Sequence, residues 1–108
     1  MNHPTPVPTT EDHIVQMLRT VYDPEIPVNV FDLGLIYRID FNAESGVLDL
    51  DMTLTAPGCP MADYIMEDVR QKVLTIEEVK EAHVNIVFEP EWNESMMSDE
   101  AKAELGLL

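Results

Sequence analysis

Two runs of alternating apolar and polar residues, joined by a short turn segment, constrain the fold of this chain most strongly. Residues 35–41 and 48–55 each place an apolar side chain at every second position, which is the period of a half-buried β-strand. Between them lies NAESG, a turn-forming segment in which Gly46 suits a positive φ. The two runs therefore predict a β-hairpin with one buried and one wetter face.

Apolar residues at helical spacing precede the hairpin and predict a first helix. Thr9 or Thr10 is expected to cap it, because a threonine oxygen can accept from the free N–H groups of a first turn. Pro24 is expected to end it at or before Asp23. The apolar face of this helix consists of Ile14, Met17, Leu18 and Val21.

A second helix and a third strand are predicted after the hairpin. The helix begins with Pro60 at its first helical position and ends near Leu74 or Thr75. Alternation over residues 82–88 predicts the strand, and Pro90 ends it. The apolar side of the second helix consists of Ala62, Ile65, Met66, Val69 and Val73.

A short last helix completes the predicted architecture, with Ser98 as its cap and Gly106 as its terminator. The order helix, strand, strand, helix, strand, short helix favours an α/β fold of the α+β kind, with a three-stranded mixed sheet and helices on one face. The second and third strands should be parallel if they share a sheet. The pattern leaves open whether the third strand lies beside the first or the second.

Domain organisation follows from the positions of the prolines and of the apolar residues. The segment 1–8 carries three prolines and few groups that can pack, so it is predicted to be a flexible lead-in. Residues 9–108 are predicted to form a single domain, because a chain of 108 residues can bury one core.

Charge and cysteine content restrict the function classes. The chain has 21 acidic and 6 basic residues, which give a formal net charge of -15. No basic patch is therefore expected for nucleic acid or for an anionic membrane surface. One cysteine cannot form an intramolecular disulfide, and no apolar run approaches the roughly 20 residues of a membrane span. A cytoplasmic protein is expected.

The single cysteine, Cys59, lies in the stretch LTAPGCPM, where the second strand leads into the second helix. At the N-cap or first turn of that helix, free N–H groups and the helix dipole would favour the thiolate, the form that binds metal. Gly58 beside it would let a ligand or a partner backbone approach closely. The alternative is that Cys59 is a small buried apolar residue.

Other catalytic templates are missing from the sequence. The four glycines do not stand at phosphate-loop or dinucleotide-binding spacing. His3, His13 and His83 are too dispersed for a clustered zinc site, and His83 is expected on the strand surface. A nucleophile paired with a nearby base therefore has no local support.

Carboxylates bracket the irregular segment between the first helix and the first strand. Asp23, Glu25 and Asp32 could ligate a metal or accept hydrogen bonds from loop amides. The structural role is favoured for Asp32 and both roles remain open for Asp23 and Glu25. Thr55 lies on the wetter strand face that leads to the cysteine, so it borders the same site or simply suits a strand.

Three stretches carry a family resemblance: DPEIPVNVFDLGLIY, MTLTAPGCPM, and EPEW followed by MMSDEAKAELGL. They resemble the metal-sulfur cluster biosynthesis domain family, which includes the bacterial SufT and PaaD-like proteins and the eukaryotic cytosolic iron-sulfur targeting factor. The resemblance covers residues 14–108. No cysteine-rich segment of the PaaD-like kind follows, so the chain is more similar to the SufT-like stand-alone form.

The resemblance implies a small α/β fold and an accessory role in iron-sulfur cluster assembly, maturation or delivery, without classical turnover. It implies functional positions at Asp23, Glu25 and Cys59, with Thr55 and Gly58 beside them. The implied partners are the assembly machinery and client iron-sulfur proteins. Two other functions stay open: a small thiol-dependent enzyme, and a protein-protein interaction module in which the cysteine is inert.

Ligand arithmetic limits what one chain can hold. An iron-sulfur cluster takes about four protein ligands, mostly cysteine thiolates, and Cys59 is the only thiol here. A cluster that it contacts would be transient or shared. Either a partner completes the ligand set, or Cys59 only recognises the partner, or a homodimer pairs two Cys59 residues; the first two are favoured because the sequence marks no dimer interface.

Overall fold

The computed structural model describes residues 9–24, 26–55 and 61–108. Within these residues the element order is the predicted one, with a single 3-10 turn, Glu94–Met96, before the last helix. The elements are α1 (Thr10–Leu18), β1 (Ile36–Asn42), β2 (Val47–Met52), α2 (Ala62–Leu74), β3 (Glu81–Ile86) and α3 (Asp99–Glu104).

The three strands form one mixed sheet in the order β1-β2-β3. The β1-β2 pair is antiparallel, as the hairpin prediction requires, and the β2-β3 pair is parallel, as the crossover rule predicts. The third strand therefore lies beside the second. In this register Leu50 is paired with Ile39 on one side and with Val84 on the other, so β2 is the central strand.

The core lies between the inner face of the sheet and the helices. The inward residues of β2, Leu48, Leu50 and Met52, have no exposed surface and belong to the same buried cluster as residues of α1 and α2. Their burial follows from the alternation that predicted the hairpin. The helical residues that complete this cluster include Ile14, Leu18, Ile65, Val69 and Val73.

Local side-chain chemistry sets the start of α1 and both ends of α3 as predicted. Helix α1 ends at Leu18, so Val21, predicted on its apolar face, is buried but lies outside the helix. Thr9 caps α1 by accepting from the Asp12 N–H, while the Asp12 carboxylate accepts from the Thr9 N–H at 2.9 Å. Ser98 caps α3 by accepting from the Ala101 N–H at 3.1 Å. Gly106 follows α3 with a φ of 75°, the left-handed conformation that commonly ends a helix.

The start of α2 corrects one prediction. The helix begins at Ala62 and its N-cap is Met61, which has a ψ of 9° and makes no side-chain cap hydrogen bond. This ψ departs from the helical value, so the helix begins two residues later than predicted. The N-cap is therefore not Cys59. Cys59 and Pro60 themselves lie outside the described residues.

The end of β3 corrects a second prediction. Strand pairing stops at Ile86, because its partner β2 stops at Met52. One more bond follows, from the Val87 N–H to the Met52 carbonyl at 2.8 Å. Phe88, which the alternation placed on the inner face, is 54% exposed. No helix in the described part of the chain is both long and apolar enough to cross a membrane.

Candidate functional site

The residues predicted to form the site divide into two groups. Asp23 and Thr55 are described by the structure, whereas Glu25, Gly58 and Cys59 lie outside the described residues. The described residues therefore leave the proposed role of the thiol untested.

Asp23 organises the loop between α1 and β1. The residue is 8% exposed, and its carboxylate accepts from the Ile26 N–H at 3.1 Å. Its own N–H donates to the Val28 carbonyl at 3.4 Å. An aspartate that bonds the backbone a few residues ahead stabilises a turn. This geometry supplies the structural role that the sequence left open, and any role toward a metal stays a prediction.

Asp32 has the predicted structural role. Its Oδ2 accepts from the Asn29 side-chain amide at 2.7 Å, and its N–H donates to the Asn29 Oδ1 at 2.8 Å. Arg19 approaches the same carboxylate at 3.9 Å. The main-chain carbonyl of Asp32 accepts from the Ser98 N–H at 2.8 Å. Asp32 thus ties the loop to the start of α3.

Thr55 lines an open cavity of about 330 Å³ at the end of β2. We call this region the open end, defined as residues 53–55 and 88–92. Its floor is formed by Thr53 and Leu54, which are 2% and 7% exposed. The side chains around it combine apolar surface with carboxylates. The lining consists of Thr53, Leu54, Thr55, Phe88, Glu89, Glu91 and Trp92.

Two side-chain hydrogen bonds hold the segment 88–92 against the body. The Tyr37 hydroxyl donates to the Pro90 carbonyl at 2.7 Å, and the Trp92 indole N–H donates to the Leu33 carbonyl at 2.7 Å. Burial raises the pKa of the Tyr37 phenol, an effect that its hydrogen bond with Thr53 partly offsets. The phenol therefore stays protonated, and able to donate, across the neutral pH range.

Sequence reasoning missed this cavity because its walls come from distant parts of the chain. No short motif joins Thr55 to Phe88 or Trp92. The one available signal was the EPEW stretch, which entered only through the family resemblance.

The outer face of the sheet carries a separate polar cluster. Asp51 accepts from the Arg38 Nε at 2.9 Å and from the Asn85 amide at 3.1 Å. The Arg38 hydrogen bond, followed by that from Asn85, lowers the pKa of the Asp51 carboxyl. His83 is exposed and lies 2.7 Å from Glu81, in agreement with its predicted surface position. Among the described residues, no three His, Cys, Asp or Glu side chains converge as a metal site would require.

Comparison with known proteins places this chain among iron-sulfur assembly factors. The family described as "Iron-sulfur cluster assembly protein" matches residues 11–86. An Fe-S protein maturation auxiliary factor of Porphyromonas gingivalis is 62% identical over 99 residues, which cover 92% of this chain and 93% of that protein. The Fe-S protein maturation auxiliary factor SufT of Staphylococcus aureus is 42% identical over 87 residues, covering 81% of this chain and 98% of SufT.

A solved structure supports the same relationship. The crystal structure of a domain of unknown function, DUF59, from Bacillus anthracis superposes with a TM-score of 0.85 at 37% identity, covering 92% of this chain and 93% of that one. The family match spans more than half of the chain, and the similarity of sequence and fold extends over nearly all of it. This chain therefore belongs to the iron-sulfur cluster assembly protein family, as the resemblance predicted.

Proposed function

We propose that this protein is an accessory factor in iron-sulfur cluster assembly, maturation or delivery to client proteins. The observation that carries the proposal is the 62% identity to the P. gingivalis maturation factor across more than nine-tenths of both chains. Similarity of this extent leaves little of either chain for an unrelated site. The proposed partners are the assembly machinery and client iron-sulfur proteins, and the cluster is cargo.

Cys59 is proposed to be the working thiol, with Asp23, Glu25, Thr55 and Gly58 around it. Covalent chain length supports a position near the open end, because Cys59 follows Thr55 by four residues and precedes Met61 by two. Four extended residues span at most about 14 Å, which limits how far Cys59 can lie from Thr55. Met61 is the N-cap of α2 and is 36% exposed, so the helix begins at the surface.

The thiol is proposed to share its cluster with a second chain. A cluster takes about four protein ligands, and the sequence has one cysteine. A client or carrier protein would complete the set, or Cys59 would recognise that protein without binding the cluster itself. A homodimer with two Cys59 residues at one cluster is the remaining arrangement.

Complementation tests the proposed function. P. gingivalis cells that lack their own maturation factor would receive this chain or an empty vector, and the activity of an iron-sulfur hydro-lyase would be measured in anaerobic extracts. We expect this chain to restore the activity, while a dehydrogenase without iron stays constant as the control. Equal hydro-lyase activity with chain and with vector would contradict the proposal.

Anaerobic reconstitution with ferrous iron and sulfide distinguishes the ligand arrangements. Wild type and Cys59→Ala are compared by absorbance and by native mass. The shared arrangement predicts no stable cluster on an isolated wild-type monomer. A cluster signal that depends on Cys59 and accompanies a dimer would instead establish the homodimer.

A further inference from the structure

The open end combines apolar surface with an unusual degree of exposure. Phe88 lies two residues beyond the end of β3 at Ile86 and is 54% exposed. It shares the cavity of about 330 Å³ with the half-buried Trp92. Exposed aromatic side chains beside a concave surface are typical of protein interaction sites, in which Trp anchors are enriched.

Hydrogen bonds hold the residues that line this cavity, which we call the groove. The Tyr37 and Trp92 hydrogen bonds, both at 2.7 Å, hold the two sides of the segment 88–92. At the floor of the groove the Thr53 N–H donates to the Leu35 carbonyl at 2.8 Å. A groove held in this way loses little conformational entropy when it is occupied, which favours binding.

Charge indicates the chemistry of the occupant. Glu89 and Glu91 line the groove and are exposed, and the described lining includes no Lys or Arg. The net charge of -15 adds a negative field around them. A second copy of this chain would bring like charge to the groove, whereas a basic segment would be attracted. Most basic side chains of the chain already form ion pairs with nearby carboxylates. These basic residues are Arg19, Arg38, Arg70 and Lys72.

We infer that the groove at the open end docks an extended basic segment of a partner protein. An apolar side chain of that segment packs on Phe88 and Trp92, and its Lys or Arg side chains lie against Glu89 and Glu91. The inference rests on the proposed function, since it states the chemistry by which the factor recognises a protein of the assembly machinery or a client.

Trp92 provides a direct readout, because it is the only tryptophan of the chain and lines the groove. The probe is a short peptide with one central leucine flanked on each side by two arginines. We expect a saturable change in Trp92 emission. Replacing the arginines by glutamates should abolish it, and raising the ionic strength from about 0.05 M to about 0.5 M should weaken binding severalfold.

A matched pair of charge reversals locates the binding. Glu89→Lys with Glu91→Lys should weaken the affinity for the basic peptide by about tenfold or more. Glu44→Lys with Glu78→Lys makes the same change in net charge at the far end of β2, where both residues are exposed. It should leave the affinity within about twofold. Phe88→Ala, which keeps the reporter, should also weaken binding.

Four results would overturn the inference: no emission change with the basic peptide, equal weakening by both charge reversals, equal binding of the acidic peptide, or a concentration-dependent emission change without peptide. The last would identify a second copy as the occupant. Circular dichroism of each variant verifies folding. The peptide-binding measurement uses the purified chain without iron, so a negative result there would not contradict the maturation role. Failed complementation, in turn, would not contradict peptide binding in the groove.

Discussion

The two ends of the central strand β2 are built from different interactions. At the end that we call the turn end, residues 43–46 and 77–80, side-chain hydrogen bonds join only residues two or three apart in sequence, and backbone bonds connect the two segments. The Lys80 and Glu81 N–H groups both donate to the Gly46 carbonyl, at 2.8 and 3.3 Å. Gly46 has a φ of 75°, which a side chain rarely tolerates. This end is closed with one glycine and ordinary turn chemistry.

At the open end, by contrast, side chains hold the backbone. The Tyr37 hydroxyl binds a carbonyl 53 residues away in sequence, and the Trp92 indole binds one 59 residues away. Phe88 and two carboxylates nevertheless remain in solvent. The turn end, by comparison, contains no aromatic residue. We propose that the open end carries the function and that the turn end is scaffold.

The largest expected effect comes from Leu50, which lies between the two ends and has no exposed surface. Leu50→Ala should lower the free energy of unfolding by about 3–5 kcal/mol, because it removes buried apolar contacts and leaves a cavity. Urea denaturation measures it. Leu107→Ala, at a residue 49% exposed, should stay within about 0.5 kcal/mol of wild type. A Leu50→Ala loss below about 1 kcal/mol would show that the two ends do not share one core.

A smaller loss is expected for Gly34→Ala, which adjoins the open end. Gly34 has a φ of 81°, and a Cβ there would clash with the Met96 carbonyl oxygen. The loss should be about 2–4 kcal/mol, since the backbone strain and the clash add. Gly106→Ala is the matched control, because its φ is 75° and a Cβ would meet nothing within 4 Å. It should lose only about 1 kcal/mol in thermal denaturation. Equal losses would mean that the Met96 contact is unimportant.

Tyr37→Phe tests the side-chain support of the open end. The variant removes the donor to the Pro90 carbonyl and should lower the free energy of unfolding by about 1 kcal/mol, the usual net value of one hydrogen bond. Hydrogen exchange should speed up in residues 88–92 and stay unchanged at the turn end. Tyr64→Phe, at a residue 61% exposed, is the control. Uniform acceleration at both ends would contradict the local role of Tyr37.

The smallest effect is a pH dependence on the outer face of β2. Arg38 and Asn85 lower the pKa of Asp51, so its contribution to stability is complete above its ordinary pKa of about 3.9 and is lost as pH falls through the lowered value. Asp51→Asn should therefore have a lower free energy of unfolding than wild type at neutral pH. The two free energies, measured by urea denaturation, should converge in acid. Arg38→Gln should remove most of the same difference. If the difference in the free energy of unfolding between Asp51→Asn and wild type became larger in acid, the assigned direction of the pKa shift would be wrong.

Most elements could be predicted because neighbours in sequence determine them. The α1 and α3 caps depend on Thr9 and Ser98 with partners three residues ahead, and the hairpin depends on alternation around one turn. The exposure of Phe88 could not be predicted, because it depends on β2 ending at Met52. The alternation of apolar residues in the sequence continues as far as Phe88, but β2, the strand that would pair beside it, has already ended.

The site was less accessible to sequence reasoning than the fold. The structural role of Asp32 could be predicted from its loop. The groove, however, is formed by residues 53–55 and 88–92, which only the parallel crossover brings together. A short pattern cannot encode such a contact. The predicted roles of Glu25, Gly58 and Cys59 rest on their positions in the sequence and on the family resemblance, and they remain predictions.

The client activity supported by Cys59→Ser tests the central claim most directly. In P. gingivalis cells that lack their own factor, the variant would be expressed at the level of the wild-type chain, with folding verified by its thermal denaturation. We predict wild-type stability together with iron-sulfur hydro-lyase activity no higher than with the empty vector, because serine cannot supply a thiolate. Full restoration of the activity by Cys59→Ser would contradict the claim that the thiol carries the function.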